Sequence, residues 1–409
     1  MRRNFVRPLT SIPIRLSASV VLSLTGLGLL SLNSHAAVTL TEALTGGKTN
    51  MDIRLRYESV EQDNAALEDA SATTIRTRLG YTTGKYKGFS VFAEMEDVSA
   101  LGDTDYNSTT NGKGTYSVVA DPTGAEMNQV NLSYSGISDT VLKWGRQRLI
   151  LDNARFVGNV GWRQNEQTFD AFTVLNHSLP DTKATYAYVY NVNGITGGNT
   201  NAETHVLNVA YSGLGIGKLS GYGYFLDFVD VPSLSQQTLG LRFTGAKALS
   251  DSVKLFYSTE YASQSDYKDG ASSIDADYLL GELGVSMNGI TTKVGYEVLG
   301  GDGSYGFSTP FATKHAFNGW SDQFLATPAE GLTDLYITIS GKVAGTKLMI
   351  VFHDFSSDQG STDYGTETNF LVAKKFGKNY SAVLKYANYS ADTWKVDTDK
   401  LWLQGQVKF

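Results

Sequence analysis

The chain ends Leu401-Trp402-Leu403-Gln404-Gly405-Gln406-Val407-Lys408-Phe409. In an extended strand successive side chains point to opposite faces. Leu401, Leu403, Gly405, Val407 and Phe409 therefore share one side, and Trp402, Gln404, Gln406 and Lys408 the other. A period of two predicts a strand that is apolar on one face only. The same alternation runs back along the chain. Ile53, Leu55 and Tyr57 alternate with Asp52, Arg54, Arg56 and Glu58. Ile75, Leu79 and Tyr81 alternate with Arg76, Arg78 and Gly80, and Val130, Leu132 and Tyr134 with Gln129, Asn131 and Ser133.

A soluble sandwich gives the same local pattern, with its apolar faces turned to a core. The strand ends separate the two cases. Tyr57, Tyr81, Tyr134, Tyr211, Phe243, Tyr261 and Tyr386 repeatedly close an apolar face. Amphipathic rings suit the boundary between lipid headgroups and chains, and transmembrane barrels carry girdles of them. We read eighteen candidate strands, centred near residues 55, 77, 92, 131, 144, 171, 187, 208, 222, 241, 257, 282, 295, 337, 350, 370, 384 and 405. The alternation breaks near 222 and 282, and sixteen strands is the alternative count. Gly84–Gly88, Ser212–Gly217 and Lys375–Asn379 read as short turns at one end. Ala100–Ala125 and Gly300–Gly331 read as long loops at the other. The predicted fold is all-β: a transmembrane, antiparallel, up-and-down β-barrel.

Composition agrees with this reading and excludes others. A hydrophobic share of 41% is too low for a bundle of membrane helices, and no run of about 18 apolar residues follows the N-terminus. A chain with strands and no such helix can cross a bilayer only as a closed barrel. There is no cysteine, so disulfides, thiolate metal sites and cysteine nucleophiles are excluded. Arg2, Arg3, Arg7 and Arg15 precede the apolar run Val20–Leu30 and the small-residue site Ser34-His35-Ala36. This is the pattern of a secretory signal peptide over residues 1–36, with one mature domain over 37–409. The leader takes four of the 34 basic residues and none of the 41 acidic ones, which leaves a mature balance of −11. That balance opposes nucleic acid as a partner. No cofactor motif is present. There is no G-x-S-x-G and no H-E-x-x-H, so nothing nominates an enzyme.

Two stretches carry a family likeness. The first is Gly145-Arg146-Gln147-Arg148, Leu151-Asp152-Asn153-Ala154-Arg155-Phe156-Val157-Gly158, Gly161-Trp162-Arg163-Gln164-Asn165 and Thr168-Phe169-Asp170-Ala171. The second is Lys314-His315-Ala316-Phe317-Asn318-Gly319-Trp320-Ser321-Asp322, then Gly331-Leu332-Thr333-Asp334 and Phe352-His353-Asp354-Phe355. Both resemble the alginate export family of outer-membrane porins. The resemblance implies an eighteen-stranded barrel with an arginine-rich constriction that passes an anionic polysaccharide. The loops here look shorter than those of a dedicated polymer exporter. The final strand ending on Phe409 likewise resembles the sorting signal read by the barrel-assembly machinery.

Eight of the nine arginines of the mature chain lie between residues 54 and 163. Arg54/Arg56 and Arg76/Arg78 are pairs spaced by two, so each pair shares a face. That face should be the lumen, because a charge facing mid-bilayer lipid costs roughly 2–4 kcal/mol. Stacked guanidinium groups would make a positive stripe of the kind that selects anions. Glu94 and Glu96 on the next strand offer the plainer alternative, a lumenal ion-pair ladder with Arg76 and Arg78. Arg146 and Arg148 share parity with Leu142 and Trp144, so a strand end or bulge near Gly145 is expected to turn them inward. Arg155, Arg163, Asp170 and Arg242 complete the predicted pore lining. The expected partners are outer-membrane lipid and small hydrophilic or anionic solutes. A general or small-carboxylate porin, a non-conducting structural barrel and an outer-membrane enzyme remain as alternatives.

Overall fold

The computed structural model describes residues 39–409. The signal peptide read at 1–36 lies outside them. One helical turn, α1 (Leu40–Thr45), precedes eighteen strands. These are β1 (Lys48–Gln62), β2 (Ala70–Thr82), β3 (Phe89–Asp105), β4 (Gly124–Ile137), β5 (Thr140–Gln147) and β6 (Thr168–Asn176). Then come β7 (Thr182–Asn193), β8 (Asn199–Leu214), β9 (Gly217–Leu226), β10 (Gln236–Ala248), β11 (Val253–Asp266) and β12 (Asp275–Met287). Last are β13 (Ile290–Leu299), β14 (Leu332–Val343), β15 (Thr346–Ser356), β16 (Asp363–Phe376), β17 (Tyr380–Ala391) and β18 (Thr398–Lys408). Every strand centre read from the sequence falls inside one of these strands, the two at broken alternation included.

Each strand pairs antiparallel with the next, and β1 also pairs with β18, which closes the barrel. The closing register sets Ile53 opposite Val407, Leu55 opposite Gly405 and Tyr57 opposite Leu403. Closure removes the unpaired edge that an open sheet would present. Outward side chains form the lipid belt: Leu55, Leu79, Leu132, Leu241, Leu283 and Leu403 are all exposed. Inward positions of the strands are polar and buried, among them Arg54, Arg78, Asn131 and Gln264. Ala100–Asp105, read as loop, instead extends β3.

The alternation fails near 222 and 282 for a physical reason. Tyr222, Tyr224, Tyr278 and Leu280 point inward and are buried. They pack on Phe156 and Phe307, which belong to loops folded into the barrel. Both faces of those strands are therefore apolar, one toward lipid and one toward the loops. Fully burying such an aromatic is worth roughly 1.5–3 kcal/mol, so this cluster holds the loops in place. Among the described residues no helix is long and apolar enough to cross a membrane.

Candidate functional site

Two loops enter the lumen. One spans residues 148–167 between β5 and β6, and the other spans 300–331 between β13 and β14. They bind each other through their backbones. The Gly158 amide donates to the Phe311 carbonyl at 2.8 Å, and the Thr313 amide to the Ala154 carbonyl at 2.9 Å. β5 and β6 are short, with 8 and 9 residues, so the first loop leaves the wall early.

The predicted arginine stripe faces the lumen as parity requires, but the first loop covers it. Arg54 and Arg76 stand directly opposite each other on β1 and β2. Like charges so placed need compensation. Arg54 donates to the carbonyls of Gly161, Trp162 and Arg163 at 3.1–3.3 Å. Arg56 donates to the Trp162 carbonyl at 2.5 Å and lies 4.2 Å from that residue's ring centre. Arg76 pairs with Asp52 at 2.9 Å. Arg78 pairs with Glu96, and both Arg76 and Arg78 reach the Gln164 carbonyl at 3.4 Å. Glu94 pairs not with Arg76 but with Arg148, at 2.9 Å. The stripe and the acids thus form one network that clamps the loop to the wall.

Arg146 and Asp170 correct the sequence reading. β5 pairs with β6 without a register shift, and Arg146 lies opposite both Val130 and Asp170. Val130, Trp144 and Phe172 are exposed on the outer face, so parity keeps Arg146 and Asp170 outside the lumen. They neutralise one another through two bonds of 2.9 and 3.3 Å. Gly145 turns no chain inward. Its φ of +114° lets the backbone pass where a Cβ would sit 2.4 Å from the Val130 carbonyl oxygen.

The other predicted residues lie inside. Arg155 meets Glu297 at 2.7 Å and Asn318 at 2.9 Å, Arg242 pairs with Glu260, and Arg163 joins Glu58 at 3.0 Å to Asp322 at 3.2 Å. Asp322 also holds Lys400 at 3.3 Å and the His315 Nδ1 at 2.7 Å. Burial would raise the Asp322 carboxyl, but His315, Lys400 and Arg163 hold it well below its usual range. Burial pushes the His315 imidazole down to about 3, with Asp322 opposing and Lys385 reinforcing the shift. The ring is therefore neutral at pH 7. Nδ1–H donates to Asp322, and Nε2 accepts from the Lys385 Nζ at 2.6 Å.

Two of the cavities along the lumen bear on transport. A vestibule of about 810 Å³ has Arg163, Lys314, Lys395, Lys400 and Asp322 among its lining groups, with Ile195 and Trp394 on its apolar side. A second cavity of about 300 Å³ carries Arg242, Glu282, Lys293, Glu297, Asp334 and His353. Residues 314–323 divide them. Lys314, His315 and Ser321–Gln323 line the vestibule, while Ala316–Asn318 and Trp320 line the second cavity. Among the described residues Lys314 makes no ion pair and no side-chain hydrogen bond. The lysines of the vestibule were missed because the sequence reading followed arginine. Lys400 shares the inward parity of Trp402 on β18, so that signal was available.

Residues 45–222 match the family described as alginate export. The chain is an outer-membrane β-barrel, similar over that stretch to the alginate export family. Solved porins share its fold at low identity. OpdK of Pseudomonas aeruginosa, solved with vanillate, is 14% identical, with a TM-score of 0.71 over 90% of this chain and 99% of that one. OccAB4 of Acinetobacter baumannii is 13% identical, with a TM-score of 0.70 over 89% and 98%. OccD3 (OpdP) of Pseudomonas aeruginosa is 16% identical, with a TM-score of 0.68 over 90% and 92%. No curated protein matches this barrel by sequence.

Proposed function

We propose that this barrel is a passive diffusion channel for small anionic solutes, taken one at a time, and not an enzyme. The vestibule carries the reading. Four cationic side chains and one carboxylate line it, so it attracts anions despite a chain that is acidic overall. Its volume of about 810 Å³ suits a single small solute, since pockets of roughly 300–1,000 Å³ hold ligands of that class. A continuous polysaccharide is disfavoured, because residues 314–323 lie across the path. OpdK was solved with vanillate, itself a small carboxylate, in keeping with solutes of this kind. The chain is taken to reach the outer membrane through the leader at 1–36, and the strand ending at Phe409 to engage the assembly machinery. Phe409 donates to the Met51 carbonyl at 2.9 Å and accepts from the Met51 amide at 3.1 Å, which makes it part of the closing seam.

Liposome swelling with graded solutes tests the reading. Galacturonate should enter faster than galactose, and long oligouronates should be excluded. Equal entry of galactose and galacturonate would remove the anionic preference. No swelling with any solute would favour the non-conducting barrel or the enzyme.

A further inference from the structure

Behind residues 314–323 lies a strip of wall whose polar groups are sealed in. Asn369 on β16, Lys385 on β17 and Trp402 on β18 all face inward. Lys385 stands directly opposite Trp402, and Asn369 opposite Ala387. Asn369 and Trp402 are fully buried, and Lys385 is 5% exposed. Neither the Nδ2 nor the Oδ1 of Asn369 has a hydrogen-bond partner among the described residues. The same is true of the indole nitrogens of Trp402 and Trp162. Buried polar groups are nearly always paired, and unpaired ones mark places where something else is meant to bind or move. Among the described residues the Lys385 Nζ meets no carboxylate within ion-pair distance. It contacts His315 Nε2 and lies 3.9 Å from the Trp320 ring centre and 4.3 Å from that of Trp162.

The segment that seals this strip is anchored at Asn318, which bonds Arg155, Glu297 and Asp334, and at Asp322, which pairs with Arg163 and Lys400. Between these anchors Trp320 and Ser321 hang on Glu367, and the segment has bending points of its own. Glu367 accepts from the amides of Trp320 and Ser321 and from the Ser321 hydroxyl. Asn318, Gly319 and Asp322 all have positive φ, at +52°, +84° and +63°. Glycine suits 319 because its φ of +84° is left-handed and a Cβ there would press on the Glu367 carboxylate that holds the segment. The segment lines both cavities, so moving it would join them.

We propose that residues 314–323 are a hinged gate released from Glu367, and that the strip Asn369–Lys385–Trp402 is a second solute site exposed when it opens. This rests on the channel reading above. The chemistry points to a hydroxylated carboxylate. Indole faces take the apolar side of a sugar-like ring, the Asn369 amide and indole N–H groups take hydroxyls, and Lys385 takes the carboxylate. His315 and Trp320 fill that site while the gate is closed.

The natural chain has no cysteine, so one introduced thiol reports cleanly. Ala387→Cys places it beside the strip and leaves the three site residues intact. In refolded barrels, checked by heat-modifiable mobility, we would measure its modification by a membrane-impermeant thiosulfonate. Glu367→Gln, and separately Ser321→Ala, should each speed modification. For Glu367→Gln the gain should be about tenfold or more, the worth of a lost hydrogen bond to a charged group. Galacturonate should protect the thiol where galactose does not, and Lys385→Met should abolish that protection. Unchanged rates in both gate variants would overturn the gate. Faster rates without galacturonate protection would overturn the second site. Labelling does not depend on ion current, so a barrel that labels as expected yet conducts nothing would refute the channel reading alone.

Discussion

Arg163 shows how one side chain can carry a whole loop. It bridges Glu58 on the wall to Asp322 on the second inward loop, with Asp121 at 3.8 Å. Arg163→Ala would leave buried carboxylates uncompensated, a loss of about 3–5 kcal/mol that urea unfolding in detergent should register. Lys314 should behave differently. Among the described residues it has no ionic partner to strand, so Lys314→Ala should leave stability nearly unchanged while lowering the anion-to-cation permeability ratio. The pH dependence follows from His315. Its folded value, about 3, lies below its ordinary 6.5, so folding is disfavoured wherever the ring is protonated in the unfolded chain. Stability from this site is full above pH 6.5 and declines as pH falls from 6.5 toward 3. Asp322, also held low, adds its own loss below its ordinary value of 3.8. His315→Gln should flatten the decline between pH 6.5 and 3, read from unfolding midpoints across that range.

At the scale of elements, parity told which way the arginines of β1 and β2 point but not what they meet. Their partners are carbonyls of residues 161–164, more than 80 positions away and on a loop with no periodicity to read. A strand pattern reports a face, and it is silent on what fills the space in front of that face. The same limit explains Arg146 and Asp170. An outward charge is costly in mid-bilayer, which argued for the lumen, yet a paired charge near the end of a short strand escapes most of that penalty. The clamp leads to a different expectation from a free selectivity stripe. Arg54→Ala with Arg78→Ala should free the 148–167 loop, so single-channel conductance should rise and become noisier. A fall in anion selectivity at unchanged conductance would favour the free stripe.

For the molecule as a whole, the barrel was legible because lipid imposes a simple rule on the outer face of every strand. All eighteen strands followed from it, even where inward tyrosines hid the alternation. The lumen was not legible, because its lining is assembled from loops and from lysines scattered over distant strands. Function therefore rests on the assembled vestibule more than on any motif. Planar-bilayer recording of the refolded mature chain across a potassium chloride gradient tests this most directly. The reversal potential should show a preference for chloride over potassium, reduced by added galacturonate as it competes for the vestibule. A preference for potassium, or no current from folded protein, would contradict an anion-conducting channel.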